Sequence, residues 1–547
     1  MKLISSSFYV IVVTMCSLTA IAGSPQKGEI VFKTGFESKE ERDVWPLQAW
    51  SEWSTGLESD YSLRVTVPEK DKDGTHMVSM PIDITNYRGC TLWFRCRAKA
   101  EAVTKPPVSY NGTKFMFHYK SDSMGPGWIN EGNVYGTFDW KELEFSVSIP
   151  NDAHGARISL GLQESSGSAW FDNLIVTVME PAPMPRPPPM KNPPPVFKGH
   201  NEKRLRGVMS PPRFNEEDIR FLGEEWKANV IRWQLGRNWG VPGTDRDLAE
   251  YDNWLTDKCE ELDKVLESCQ RHGLKVVIDL HSPPGGRYKN NDMAMFYEKE
   301  FQDFFIKFWQ RMARRYKGHP ALWGYDLVNE PTQTKPSPDG VYNWFDTQVQ
   351  AAKAIREIDP VTPIFITSNK WGSPEGFRNL NPAPASISNV IYQVHFYAPH
   401  VYTHQGVNTI WNRVEYPGVI LGIEWNKERI RTMLEPVREF QLAYNVHIYV
   451  GEFSAVRWAP GAENYLRDCI ELFEEYDWDW TYHAFREWTG WSLEHEGTPD
   501  SGSLADAPTD RLKVMLDAFS RNGSPLKPTV DAPSIKTTDR KLERSGD

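Results

Sequence analysis

The chain has 547 residues, 40% hydrophobic and 25% charged, the balance of a folded globular protein too long for one ordinary domain. Its formal net charge of −11 argues against a nucleic-acid partner, whose polyanionic backbone favours basic proteins. The 22 tryptophans offer flat apolar faces, each with one polar N–H, suited to core packing or to stacking on the C–H faces of sugars.

The chain opens MKLISSSFYVIVVTMCSLTAIAGS. Lys2, a short apolar stretch and the small-residue pattern Ala20-Ile21-Ala22 predict a signal peptide over 1–22, cleaved near Ala22, and a secreted, periplasmic or cell-surface protein. The Ser- and Thr-interrupted run is short for a membrane anchor, and no later segment is long and apolar enough to span a bilayer. Cys16 falls in this leader; Cys90, Cys96, Cys259, Cys269 and Cys469 remain, an odd set that leaves a free thiol unless chains pair. Cys90 and Cys96 either bridge or point the same way along one strand. The cysteines have no metal-knuckle spacing, and no metal or cofactor is expected.

Residues 25–179 read as all-β. LRVTV (63–67), TLWFRCRAK (91–99), KFMFHYKS (114–121), WKELEFSVSI (140–149), ARISLGLQ (156–163) and AWFDNLIVTV (169–178) are alternating or short apolar runs separated by turn residues, as in a β-sandwich. PAPMPRPPPMKNPPP (181–195) favours extended polyproline and predicts a semi-rigid linker over 180–200.

From 201 to 522 the pattern becomes strand, helix, strand, helix. Eight strands are predicted: RLRGVM (204–209), NVIRWQL (229–235), KVVIDLH (275–281), LWGYDLVNE (322–330), PIFITSN (363–369), VIYQVHFY (390–397), HIYVGEF (447–453) and WDWTYHAFRE (478–487). Amphipathic stretches such as CEELDKVLESCQRHG (259–273) lie between most of them. Eight such units fit an α/β fold of the (β/α)8 TIM barrel type, with a doubly wound sheet as the alternative. The tail, 523–547, lacks apolar periodicity and is predicted to be disordered.

A barrel concentrates its chemistry at the C-terminal ends of its strands. Strand 2 carries Arg232, strand 3 ends in His281, strand 4 in Asn329-Glu330, strand 6 in His395-Phe396-Tyr397 and strand 7 in Glu452; strand 8 runs out into Trp488. Each residue alone has a cheap structural explanation, but their convergence on one rim does not. Two carboxylates there suit acid–base work on a glycosidic bond: one holds a proton for the leaving oxygen, while the other stays ionised to attack or to activate water. Arg232 near Glu452 would favour its ionised form.

Leu327-Val328-Asn329-Glu330-Pro331 and Gly451-Glu452-Phe453, with Arg232, His281, His395-Phe396-Tyr397 and Trp488 in order, resemble glycoside hydrolase family 5 of the retaining glycosidases. The similarity runs from about Arg204 to Arg521. It implies Glu330 as acid/base and Glu452 as nucleophile. It also implies that Asn329 binds the sugar 2-OH, that Arg232 and Tyr397 support Glu452, and that His281 and His395 line the reacting subsite, with Trp488 as its stacking floor. Phe485 and Trp491 are alternatives for that floor. Trp239, Trp371 and Trp425 either bind neighbouring sugars or simply pack. Gly167-Ser168-Ala169-Trp170-Phe171-Asp172-Asn173 resembles the last strand of jelly-roll carbohydrate-binding modules, so residues 25–179 either form such a module or a structural sandwich that only packs on its neighbour. The expectation is a monomeric endo-β-1,4-glucanase acting on a polysaccharide, with β-mannanase and exo-β-1,3-glucanase as alternatives. A non-catalytic glycan-binding barrel would be expected to lack one of the two glutamates.

Overall fold

The computed structural model describes residues 24–122, 124–210, 213–407 and 413–523. The leader and nearly all of the tail predicted above lie outside them. The chain divides into two compact units, meeting between Ala182 and Pro183.

The first unit is a jelly-roll-like sandwich of antiparallel strands. One sheet runs Ser51–Ser54, Ser62–Val67, Gly167–Glu180, Thr91–Val103, Gly136–Ser148, with Ile30–Thr34 also paired to Gly167–Glu180. The other runs Thr75–Pro81, His154–Gln163, Gly112–Lys120, Gly127–Asn130. The period-two alternation does the packing. Leu92, Phe94, Cys96, Ala98 and Ala100 of one strand all face the core, where the Phe94 ring meets Phe117 of the opposite sheet at 4.6 Å. Cys90 and Cys96 are both buried free thiols, so the bridge considered above is absent.

The second unit is a closed barrel of eight parallel strands: Arg206–Ser210, Val230–Gln234, Lys275–Asp279, Leu322–Asp326, Ile364–Thr367, Val390–Phe396, Ile448–Phe453 and Asp479–Tyr482. They are called strands 1 to 8 below. Because both faces are covered, the strands read as near-continuous apolar runs. Ile231, Val276 and Ile278 pack in the large cluster that includes the helix residues Leu262, Leu266 and Phe305. Val230, Val277, Trp323, Phe365, Ile391 and Tyr449 form a separate apolar cluster that plugs the barrel interior. One step further along the strands the inward residues turn polar: Arg232, Asp279, Asp326, Thr367, Gln393 and Thr481, all fully buried. The site sits on this polar layer.

From Pro183 on, the Pro-rich segment is tied to the barrel by hydrogen bonds. Arg186 donates to the carbonyls of Pro436 at 3.0 Å and Phe377 at 2.6 Å. Asn445 bonds the Pro194 carbonyl at 3.0 Å, and the Trp323 indole bonds that of Lys198 at 2.9 Å. A polyproline segment exposes unpaired carbonyls, and here barrel side chains use two of this segment's carbonyls as acceptors.

Candidate active site

Strand 2 delivers Arg232 into the barrel with no exposed surface. Its guanidinium lies 2.8 Å from Asp326, 3.0 Å from Asp279 and 2.6 Å from Glu452 Oε1, and donates to Asn329 Oδ1 at 3.0 Å. One cation thus faces three buried carboxylates. Burial, then the neighbouring Asp279 charge, push the Asp326 carboxyl up to about 6, against the pull of Arg232. Asp279 and Asp326 were not singled out in the sequence. Their signal was there: an Asp inside each of the apolar runs KVVIDLH and LWGYDLV needs a buried cation, and VIRWQ holds one.

Glu452 is brought to the rim by a β-bulge. Val394 pairs with Val450 but His395 pairs with Glu452, so Gly451 is an extra residue on strand 7. Only glycine fits there, since a Cβ would come 2.6 Å from Gln393 Oε1 and 3.0 Å from His395 Nε2. Arg232 takes one oxygen of Glu452, and the Tyr397 hydroxyl donates to the other at 2.9 Å. Burial alone would raise this carboxyl, but the charges of His395, His483 and Arg232 outweigh it and hold Glu452 well below the usual carboxylate range.

Glu330 arrives differently from the expectation. Strand 4 stops at Asp326, not at Glu330. Leu327 to Glu330 continue as an irregular segment, and Glu330 itself lies in the left-handed region with φ 49°. Arg287 clamps this backbone: it donates to the carbonyls of Asn329 at 3.2 Å and Glu330 at 2.9 Å, and to Thr332 Oγ1 at 2.8 Å. Its guanidinium lies 5.1 Å from the Trp239 ring and 4.8 Å from that of Trp371. Burial pulls Arg287 down to about 10, only partly offset by Glu330 and Asp292. The Glu330 carboxylate meets His395 Nδ1 at 3.0 Å. One oxygen of Glu330, one of Glu452 and one nitrogen of His395 lie within 4.8 Å of one another.

His281 Nδ1 lies 2.8 Å from Asp279, and its Nε2 lies 3.3 Å from the Asn329 amide. The structure therefore joins Arg232, His281, Asn329, Glu330, His395, Tyr397 and Glu452 in one connected set. Trp488 is not in it. Strand 8 ends at Tyr482 rather than running to 487, and the next residue, His483, faces Tyr397 and Glu452. The Trp491 ring lies 5.7 Å from His483, while Trp488 sits one ring further out against Trp491 and Trp458, 42% exposed. Trp239 and Trp371 stand exposed at the rim beside His281, but Trp425 is buried packing.

A second three-residue cluster, His200, His447 and Asp479, lies at the opposite end of the barrel. Both imidazole Nε2 atoms lie at hydrogen-bond distance, 2.7 and 2.6 Å, from the same Asp479 oxygen.

Comparison with known proteins gives the same picture as the geometry. Endoglucanase C of Acetivibrio thermocellus is 29% identical over 290 residues, covering 48% of this chain and 81% of the relative. Cellodextrinase A of Ruminococcus flavefaciens is 28% identical over 247 residues, covering 44% and 68%. A β-xylosidase of Phanerodontia chrysosporium is 26% identical over 291 residues, covering 49% and 57%. Residues 194–497 match the family model described as Cellulase (glycosyl hydrolase family 5), more than half of the chain, and the chain belongs to that family.

Proposed function

We propose that this protein is a secreted, retaining endo-β-1,4-glucanase in which Glu452 is the nucleophile and Glu330 the acid/base. The observation that carries the reading is the close pair of carboxylates. Glu452 is held ionised by the charges of His395, His483 and Arg232 and accepts from Tyr397, and an oxygen of Glu330 lies within 4.8 Å of one of its own. That closeness supports the retaining class, in which the carboxyl groups stand about 5–5.5 Å apart, over the inverting class at about 6.5–9.5 Å.

Glu452 attacks the anomeric carbon as Glu330 gives its proton to the departing glycosidic oxygen. The glycosyl–Glu452 ester forms and the glycosidic bond breaks. Glu330, now ionised, takes a proton from water, whose oxygen attacks the same carbon and frees Glu452. Asn329, its Oδ1 fixed by Arg232, turns its amide toward the sugar 2-OH. His281 and His395 line the same subsite. Trp239 and Trp371 offer exposed faces at the rim to further units of a polymer. The relatives named endoglucanase support internal cleavage of a glucan, and the signal pattern of residues 1–22 supports export. The sandwich is assigned as a glycan-binding module, on the motif 167–173.

Glu452→Gln tests the nucleophile: hydrolysis is lost while the far-UV spectrum and melting are retained, and near-wild-type turnover would refute the assignment. Glu330→Ala is expected to keep turning over aryl glycosides with good leaving groups while losing poor ones. Equal losses on both would remove its acid role. Product analysis on β-1,4-glucan, β-1,3-glucan, mixed-linkage glucan and mannan fixes the linkage. A fast viscosity drop with few reducing ends marks endo cleavage.

A further inference from the structure

The rim position expected to carry a stacking tryptophan carries His483, and its contacts determine its protons. Nε2 lies 2.8 Å from a Glu487 oxygen, and Nδ1 lies 2.6 Å from the Tyr397 hydroxyl and 3.7 Å from Glu452 Oε2. Tyr397 has one proton and two neighbours. A carboxylate only accepts, so at 2.9 Å from Glu452 the phenol must donate to it. The short contact with His483 then requires Nδ1–H donating to the phenol oxygen. Glu487 also only accepts, so Nε2 carries a proton as well. The opposite assignment, Tyr397 donating to a neutral His483, would leave the phenol oxygen and the Glu452 carboxylate facing each other as two acceptors.

We propose that His483, kept as an imidazolium by Glu487, is a positioning residue that commits the Tyr397 proton to Glu452 and so keeps the nucleophile ionised and oriented at neutral pH. This rests on Glu452 being the nucleophile.

The electrostatic surroundings agree. Burial lowers the His483 imidazole, but Glu487, Glu452 and, more weakly, Glu330 outweigh it and raise the group to about 9. Glu487 is held below the usual carboxylate range: burial raises it, and His483 and His281 more than compensate. On the far side of Tyr397, His404 is pushed down to about 3 by burial and by the His400 and His483 charges, so it adds no competing cation. Trp491 closes the remaining side.

The test separates this from a merely structural role. A 2-deoxy-2-fluoro glucoside or cellobioside with a good leaving group should trap the nucleophile as a covalent adduct that peptide mass mapping places on Glu452. Its trapping rate is then followed at about pH 5 and about pH 8 in the full chain. In Glu487→Gln, His483 loses the partner that keeps it charged and titrates near an ordinary imidazole. The wild-type-to-variant rate ratio should therefore grow about tenfold between those pH values, one unit of free energy at 1.4 kcal/mol. In His483→Leu, which has no N–H to offer the phenol, the ratio should be high at both. A ratio for Glu487→Gln that does not change with pH overturns the proposal, as does a wild-type trapping rate in His483→Leu. An adduct on a residue other than Glu452 overturns the nucleophile assignment instead.

Discussion

Replacing Arg232 with methionine keeps an unbranched, though shorter, side chain and removes the cation that touches Asp279, Asp326 and Glu452 together. Arg232, Asp279 and Asp326 have fully buried side chains and that of Glu452 is 4% exposed, so solvent cannot take over the screening. Removing one partner of a buried ion pair costs about 3–5 kcal/mol, because the other is left uncompensated. For a barrel of roughly 350 residues the unfolding entropy is about 0.7 kcal/mol/K, so its Tm falls by about 4–7 °C. The pH dependence has a defined sign. Without Arg232 the three carboxyls hold protons more tightly folded than unfolded, so stability rises as pH falls through their raised values toward the unfolded value near 4. The wild type already shows this in part through Asp326, at about 6. The gap between wild type and variant, read by thermal denaturation, should therefore narrow from pH 7 to about pH 4–5. Adding Asp326→Asn to the variant should recover part of the loss. A variant that melts with the wild type, or a gap that widens on acidification, would refute the reasoning.

Gly451→Ala would push a Cβ into Gln393 and His395; kcat/KM should fall about tenfold to a hundredfold through misplacement of Glu452, measured against a near-wild-type circular dichroism spectrum. Arg287→Lys keeps the charge but loses the planar fork on the Asn329 and Glu330 carbonyls. The loss of rate should be larger for poor than for good leaving groups in a leaving-group series, because the acid is displaced. Asp247 caps the helix Leu248–Arg271 by accepting from Ala249 and Glu250. Asp247→Ala should cost about 1 kcal/mol in denaturant titrations and leave KM unchanged.

The barrel was legible because its period changes sharply at the Pro-rich segment and its polar residues cluster at strand ends. The sandwich was half legible. Ile30–Thr34, Ser51–Ser54 and Gly127–Asn130 are short and mostly half-exposed, and Thr75–Pro81 ends in proline at a sheet edge, so none carries a strong alternation. Glu330 and Glu452 could be read because the residue type is the chemistry. How they are presented could not: the bulge at Gly451 and the left-handed Glu330 are backbone events specified by distant contacts. His483 has no period to mark it, being a single histidine after an aromatic strand, and its role comes from Glu487 in its own loop together with Tyr397 and Glu452 at the ends of strands 6 and 7. The Pro-rich segment reads locally as a spacer, since its anchors lie 125 to 251 residues away in sequence.

The left-handed backbone at Glu330 sets catalysis against stability. A non-glycine residue there costs about 1–3 kcal/mol, and the Arg287 clamp and the His395 contact help hold it in place. Asparagine tolerates that conformation better than glutamate, so Glu330→Asn should be catalytically dead yet melt no lower than the wild type. Selection for turnover alone keeps glutamate at this position. In a lineage that kept only glycan binding, drift at residue 330 would run toward asparagine or glycine, and the fold would become firmer as the chemistry disappeared.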